Sequence, residues 1–479
     1  TREFFSHWSA SALLEQSDQW LEQQGRIAEP MILRPGAVRY EPISWDAAFH
    51  RIGEVLRLLE SPREAVFYCS GRTSNEAAFL YQLFARQFGT NNLPSSSHFC
   101  DESGRTGLAE VIGIGRGTVY LEDFEKADLI LVLGQNPGTC HPRMLNTLAG
   151  AVKRGCKVIS INPLRERGLA RFRRPGNPFA GAAALADRFV RVRIGGDIAL
   201  LKGIMKELLA LDNLRPGSVL DREFISQHSE GFEELRRRLA DCSFESLVAQ
   251  SGISRKEMGE IAEIYAASER VIACWATGLT QHRHGAENVQ ELANLLMLRG
   301  NLGKPGSGLC PLQGHSNAPG IRSMGIATRP EMAFLTRLGR EFEFTAPAGP
   351  GYNCVEAIHA MQDGKVQVFF GLGGNFAAAS PDTEYTAEAL SRCRLTVQVA
   401  TRLNRSHLIT GREAILLPCL CRSERDQQLS GEQFLSVESA MGKVHRSKGQ
   451  REPASAALRS EPAIVAGMAR ATLGDATQV

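Results

Sequence analysis

DLILVLGQNPGTCHPRMLNTLAGAVKRGCKVISINP, residues 128–163, decides the fold. Asp128 to Leu133 carries an uninterrupted apolar run from Leu129 and reads as a buried strand. Gly134-Gln135-Asn136-Pro137-Gly138 is a turn. Arg143 to Lys153 follows with helical spacing. Cys156 to Ile161 is a second strand, broken by Asn162-Pro163. Strand, glycine turn, helix and strand make the local geometry of an α/β nucleotide-binding unit.

The pattern recurs on both sides. Upstream, Ser44-Trp45-Asp46 opens a helix whose apolar residues are Phe49, Ile52, Val55, Leu56 and Leu59. Ala65 to Cys69 is a strand, Ser70-Gly71-Arg72-Thr73 a turn, and Asn75 to Phe88 a helix closed by Gly89. Downstream, Phe189 to Ile194 is a strand, Gly195-Gly196-Asp197 a turn and Ile198 to Leu209 a helix. Ser254 caps a helix through Ala267, and Val271 to Trp275 is a strand. Asn288 to Arg299 is helix-like, and a glycine loop with Pro305 leads to Gln313-Gly314-His315-Ser316-Asn317. Val366 to Phe370 runs into Gly371-Leu372-Gly373-Gly374-Asn375. Leu395 to Ala400 and Ala414 to Leu417 add two more strands. Alternation of this kind predicts an α/β fold with mostly parallel, Rossmann-like sheets and right-handed crossovers. Ligands of such sheets gather beyond the carboxyl ends of the strands, where these loops lie.

Bulk properties narrow the function. The 479 residues leave room for about two or three domains. Hydrophobic residues at 43% and charged residues at 22% are ordinary for a globular protein. A net charge of +3 suggests no nucleic-acid partner, and no apolar run reaches membrane-spanning length. Residue 1 is Thr with no signal-peptide pattern after it, which suggests a fragment or processed product. Eleven scattered cysteines do not form a disulfide framework and point to a reducing cytoplasm. Cys419 and Cys421 form a lone Cys-x-Cys, read as structural thiols. With no Cys-x-x-Cys present, a complete iron–sulfur site is not expected in this chain. The basic run Arg165 to Arg174 is either a solvated face or a phosphate contact.

Ser95 to Leu108, SSSHFCDESGRTGL, concentrates reactive residues. Cys100 stands just before a helix start, where the dipole favours thiolate, and a thiolate suits a redox metal. A buried structural thiol is the alternative.

These stretches together, with Gly278 to Gly325, resemble the molybdopterin oxidoreductases, in particular formate dehydrogenase-like members carrying two molybdopterin guanine dinucleotides. The resemblance implies that Cys100 ligates molybdenum, with Gly107-Leu108 as the family's downstream pair. Formate dehydrogenases carry His after the ligand, where this chain has Asp101; a buried carboxylate can also accept a proton. They carry Arg-Gly-Gln where this chain has Gln313-Gly314-His315. A neutral amide does not replace a bidentate guanidinium, so formate is disfavoured, while His315 can supply charge or a proton. Catalytic residues are thus expected at Cys100, Asp101, Gln313 and His315.

One dinucleotide cradle resembles Gly134, Asn136 and His141, then Asn162-Pro163 where the family usually has Asp-Pro. Gly196-Asp197 is either a guanine-recognition loop or a helix cap. The resemblance implies further cofactor contacts at Ser70, Arg72, Gly278, Thr280, Gln281 and Gly314. The second cradle resembles Gly373-Gly374-Asn375-Phe376 with Pro381-Asp382-Thr383, then Thr401, Asn404, Ser406 and His407. The match continues through Pro418 to Glu424, Val437 to Ser439, and Ser460 to Pro462.

Two interleaved domains follow: residues 1–98 plus 315–479, and a nucleotide-binding-like domain at 99–314. The family's N-terminal region, often carrying a [4Fe–4S] cluster, and its C-terminal β-barrel are expected to lie outside this sequence. The resemblance implies a molybdenum-dependent oxidoreductase with bis-molybdopterin guanine dinucleotide, acting on a small molecule and serving an electron-transfer partner. Reduction of an oxyanion or oxide, or a non-catalytic scaffold keeping the fold, are the alternatives.

Overall fold

The computed structural model describes residues 1–173 and 181–474. Arg174, the last residue of the basic run, lies outside them. The strands of the two larger sheets are β1 (Met31–Leu33), β2 (Glu41–Pro42), β3 (Ala65–Cys69), β4 (Leu129–Leu133), β5 (Lys157–Ile161), β6 (Arg188–Val190), β7 (Val271–Trp275), β8 (Gly308–Pro311), β9 (Val368–Leu372), β10 (Leu395–Ala400) and β11 (Glu413–Pro418). The chain divides into two compact units, Thr1–Phe99 with His315–Val479, and Cys100–Gly314.

The first unit holds a sheet in the order β2-β1-β11-β10-β9-β3. β3, β9, β10 and β11 run parallel, while β1 pairs antiparallel with β11 and with β2. The parallel strands are buried along their whole length, because helices cover both faces and each residue needs an apolar neighbour. Trp45–Arg57, Asn75–Phe88 and Glu461–Leu473 pack on one face with Phe67, Phe370 and Val397. Cys354–Gln362 and Thr383–Ser391 cover the other with Val66, Phe369 and Phe376. Phe67 stacks on Phe370 with ring centroids 4.9 Å apart; burying one such side chain contributes roughly 1.5–3 kcal/mol. Ser44 accepts from Ala47 N, and Ser74 from Ala77 N, which starts two of these helices. Two short hairpins, between Gln427 and Ser447, stand apart from the sheet.

The second unit is fully parallel, in the order β6-β5-β4-β7-β8. Its core joins the sheet to the helices Asp197–Leu214, Arg255–Ala266 and Gly285–Met297. Two expectations are corrected. The strand expected from Phe189 to Ile194 ends at Val190, since Arg191 and Arg193 turn to solvent and the chain leaves the sheet. The helix that follows is longer than expected and starts at Asp197. Among the described residues no helix is long and apolar enough to cross a membrane.

Candidate active site

In the second unit the loops after β4, β5, β7 and β8 leave the sheet at its carboxyl edge. Cys100, half-buried, opens this unit and stands directly before Asp101, the N-cap residue of the helix Glu102–Ile112. Thr280 Oγ1 donates to the Cys100 carbonyl at 2.9 Å, and Ser103 Oγ donates to the Thr280 carbonyl at 2.7 Å. The main chain at Cys100 is therefore fastened to the loop after β7. Asp101 does not use its side chain to cap the helix. It is 9% exposed, and its carboxylate accepts a hydrogen bond from Gln313 Nε2 at 2.5 Å.

The network continues from Gln313. His141 Nε2 lies 2.9 Å from the Gln313 carbonyl, and Nδ1 lies 3.2 Å from Gln135 Nε2. A carbonyl can only accept and an amide N–H can only donate, so the arrangement assigns the neutral tautomer with the proton on Nε2. Gln135, His141, Gln313 and Asp101 thus form one chain of hydrogen bonds across the unit. Asn162 fastens the neighbouring turn: its Nδ2 donates to the Gln135 carbonyl and to Asn136 Oδ1, and its Oδ1 accepts from Leu164 N. Gly134 has φ +55, and a Cβ there would lie 2.5 Å from the Gly278 carbonyl carbon. The loops after β4 and β7 can touch only because both positions lack side chains.

The other expected residues of this unit are more scattered. Gly196 caps the helix that begins with Asp197. Asp197 is buried, and that burial raises its carboxyl to about 6 against the opposing pull of His282. Gln281 and Gly314 are exposed, and Pro163 is half-buried. Three buried polar atoms near the network have no hydrogen-bond partner among the described residues: Gln135 Oε1, Gln313 Oε1 and Trp275 Nε1. Trp275 ends β7, and Gly104 packs between its indole nitrogen, Asp101 and Thr280. Sequence reasoning did not single out Trp275 as a site residue, and it carried Gln135 only as part of the turn Gly134-Gln135-Asn136-Pro137 that resembles a cofactor contact. Their one signal was position, at the last residue of a strand and in the turn after one.

The first unit carries the other expected residues. Gly373 and Gly374 have φ of +72 and +84 and press toward Ser70 and Tyr68, a left-handed turn that favours glycine. Asn375 Oδ1 accepts from Ser406 N at 3.2 Å and from Ser406 Oγ at 2.8 Å. Asn404 Nδ2 donates to the Gly374 carbonyl at 2.9 Å. The loops after β9 and β10 are thereby knitted together. The Thr401 carbonyl accepts from Ile27 N and Arg26 Nε. Phe376 points inward, against Tyr68 and Phe369 at 4.8 Å each. His407 also points inward at 1% exposure; its Nδ1 accepts from Asn404 N, and burial lowers its pKa to about 3. These two side chains hold the loop from behind.

Ser70 Oγ accepts from Arg72 N at 3.3 Å, and the Arg72 side chain is exposed. His315 Nδ1 sits 2.9 Å from Ser96 Oγ, which accepts from Gly71 N at 2.9 Å. Burial, and then the Arg72 guanidinium, lower the pKa of His315 below the ordinary histidine value. Ser96 was quoted in the sequence but not read as a site residue, because a serine in a polar loop carries no spacing signal. Among the described residues no group of three or more His, Cys, Asp or Glu forms a metal cluster.

Residues 26–425 match the model of the molybdopterin oxidoreductase family. An uncharacterized oxidoreductase of Mycobacterium tuberculosis is 50% identical to this chain over 477 residues, 99% of this chain and 61% of the relative. The chain therefore spans 61% of that relative's length. Formate dehydrogenase H of Escherichia coli is 30% identical across 73% of this chain and 48% of its own length. Among solved structures, acetylene hydratase from Pelobacter acetylenicus shares the fold with a TM-score of 0.70 at 18% identity, over 97% of this chain and 63% of that one.

Proposed function

The chain belongs to the molybdopterin oxidoreductase family, and from that premise we propose that it is the core of a bis-molybdopterin guanine dinucleotide enzyme that oxidises or reduces a small, uncharged substrate by two electrons. Membership implies a molybdenum–pterin cofactor; the dinucleotide form and the substrate are our reading.

The residues present fit such a group. Cys100 offers a soft sulfur donor, half-buried beside a helix N-terminus. The orphaned Gln135 Oε1 and Trp275 Nε1 are a buried acceptor and donor, and buried polar groups left without partners are costly. A pterin ring system carries complementary edges. The Gly134–Gly278 contact keeps side chains away from the same loops. A bound molybdenum–pterin would supply two-electron exchange with the substrate. On the protein side, Cys100 would hold the metal, and the Thr280 hydroxyl fixes the backbone from which the thiol projects. Gly134, Asn136, His141, Asn162, Pro163, Gly278, Thr280 and Gln281 would contact one dinucleotide, with Gly196-Asp197 at its guanine end. Ser70, Arg72, Gly373, Gly374, Asn375, Thr401, Asn404 and Ser406 would contact the other.

The observation that carries the substrate reading is the pairing of Asp101 with Gln313. Asp101 is a buried carboxylate that accepts from the neutral amide of Gln313. Arg105 feels its charge but is engaged by Glu102. An anion brought within about 4 Å of Asp101 would be repelled by roughly 4 kcal/mol at an effective dielectric of 20. Formate is therefore a poor candidate. An uncharged oxide or alcohol meets no such penalty and can donate to or accept from Gln313. Asp101 is then placed to hold or take the proton that accompanies the electrons.

The test uses full-length protein. Stoichiometric molybdenum is expected by metal analysis, and Cys100→Ala should abolish metal-centred activity while the circular dichroism spectrum stays unchanged. Full activity in that variant would overturn the assignment. Absence of molybdenum from correctly folded wild-type protein would favour the scaffold reading. Assays across formate, nitrate and sulfoxides should show turnover of the uncharged oxide and none of formate.

A further inference from the structure

A cavity of about 710 Å³ opens within the first unit along one face of the helix Glu461–Leu473. That volume suits a ligand of nucleotide size. None of the residues lining it is an expected cofactor or catalytic residue. Ala463, Ala466 and Gly467 form its floor, a stripe on one face of the helix that leaves room above it. Ser460 stands at the helix start, and Arg470 in the last turn, about 15 Å further at 1.5 Å per residue. Ser460 is 5% exposed and lines the cavity, yet its hydroxyl does not cap the helix and has no hydrogen-bond partner among the described residues. A buried hydroxyl without a partner is costly, so a group that bonds to it is stabilised there. The helix start adds unpaired amides and the positive end of the dipole. Glu461, the first helical residue, does not line the cavity; its carboxyl accepts from the Ser74 N–H and feels the Arg422 charge.

Arg459, beside Ser460, supplies a fixed charge. Its guanidinium lies 4.9 Å from the Trp45 ring centre and 5.5 Å from that of Phe49. Its carbonyl accepts from Leu420 N at 2.9 Å, which ties its backbone to the loop after β11. Stacking holds the planar fork in place and lowers the entropy lost when it binds. The third arginine of the wall, Arg425, is already paired, with Glu452 at 2.9 Å and Glu432 at 4.0 Å. Asp426 accepts from the Gln428 amide. Arg459 and Arg470 have no ion pair among the described residues, so they stand against Asp426 alone and leave the wall an excess of positive charge. We propose that this cavity binds a phosphorylated small molecule of mononucleotide size, its phosphate on Ser460 and Arg459 and its body along the stripe from Ala463 to Gly467 toward Arg470. A guanidinium fork and a hydroxyl at a helix start match the charge and the acceptor oxygens of a phosphate.

The experiment is isothermal titration calorimetry of full-length protein in phosphate-free buffer, with AMP as the probe and adenosine as its uncharged control. Wild-type protein should bind AMP saturably and adenosine not at all. Arg459→Gln and Ser460→Ala should each weaken AMP binding by about tenfold. Ser460→Ala removes a hydroxyl that caps nothing, so its melting temperature should match that of wild-type protein. It therefore decides the matter even if Arg459→Gln, which also loses the stacking on Trp45, fails to fold. Absence of saturable AMP binding, or equal binding of adenosine, would overturn the proposal. So would an unchanged affinity in Ser460→Ala, since AMP would then be held elsewhere on the protein.

Discussion

Among single residues, His407 makes a measurable demand on the fold. It is 1% exposed and neutral, with Nδ1 already committed to Asn404 N. Its pKa is lowered to about 3 in the folded state, while the unfolded chain titrates near the ordinary value of about 6.5. Above that value neither state binds a proton at this site, and the stability is fully present. As pH falls from about 6.5 toward 3, the unfolded chain takes a proton that the folded chain refuses. Stability should then fall by about 1.4 kcal/mol per pH unit from this group. Denaturant unfolding of wild-type protein and His407→Gln at several pH values isolates the term: the difference between the two should shrink as pH drops through that window. A constant difference would show that His407 binds its proton equally in the folded and unfolded states. The residue was legible in the sequence only as one more polar member of a loop. Its inward direction depends on Tyr40, whose hydroxyl donates to the His407 carbonyl from more than three hundred residues away. No local pattern announces such a contact.

At the level of elements, the close approach of two loops is the most exacting feature. A Cβ on Gly278 would stand 2.4 Å from the Gly134 carbonyl oxygen, a backbone atom that cannot swing aside. Gly278→Ala should therefore destabilise the protein by about 1–3 kcal/mol, as overpacking does, and lower cofactor loading. Gly314→Ala is the matched control, because nothing lies within 4 Å of its added carbon. Thermal melting should separate the two variants; equal melting temperatures would refute the contact. The long elements were readable because β4 and β7 are continuous apolar runs and β5 and β10 are mostly apolar, each between turn residues. The helix Asn75–Phe88 was readable because Gly89 adopts φ +113 at its end. β1 was not readable: three residues give no period, and only pairing with β11 makes them a strand. β8 was hidden by its own Gly308 and Pro311, residues that usually mark loops. The helices Arg222–His228, Phe232–Asp241 and Phe244–Ser251 were missed because they are short, mostly exposed, and bury one narrow stripe each.

For the molecule as a whole, the chain order matters more than any one contact. The second unit interrupts the first between Phe99 and His315. Within the first unit the two cut ends nevertheless stay beside each other. Ser96 meets His315 at 2.9 Å, Asn317 N donates to the Gly71 carbonyl at 2.8 Å, and Asn317 Nδ2 donates to the Thr73 carbonyl at 2.7 Å. The first unit also closes its own core around its own sheet. A protein in which Phe99 is joined to His315 through a few glycines and serines should therefore fold and melt cooperatively, as read by circular dichroism; an unfolded product would mean that the host needs its guest. The suture at Ser96 and His315 makes the inserted sheet a cassette. Evolution, or a gene designer, can trade or remodel that cassette while the host keeps its register.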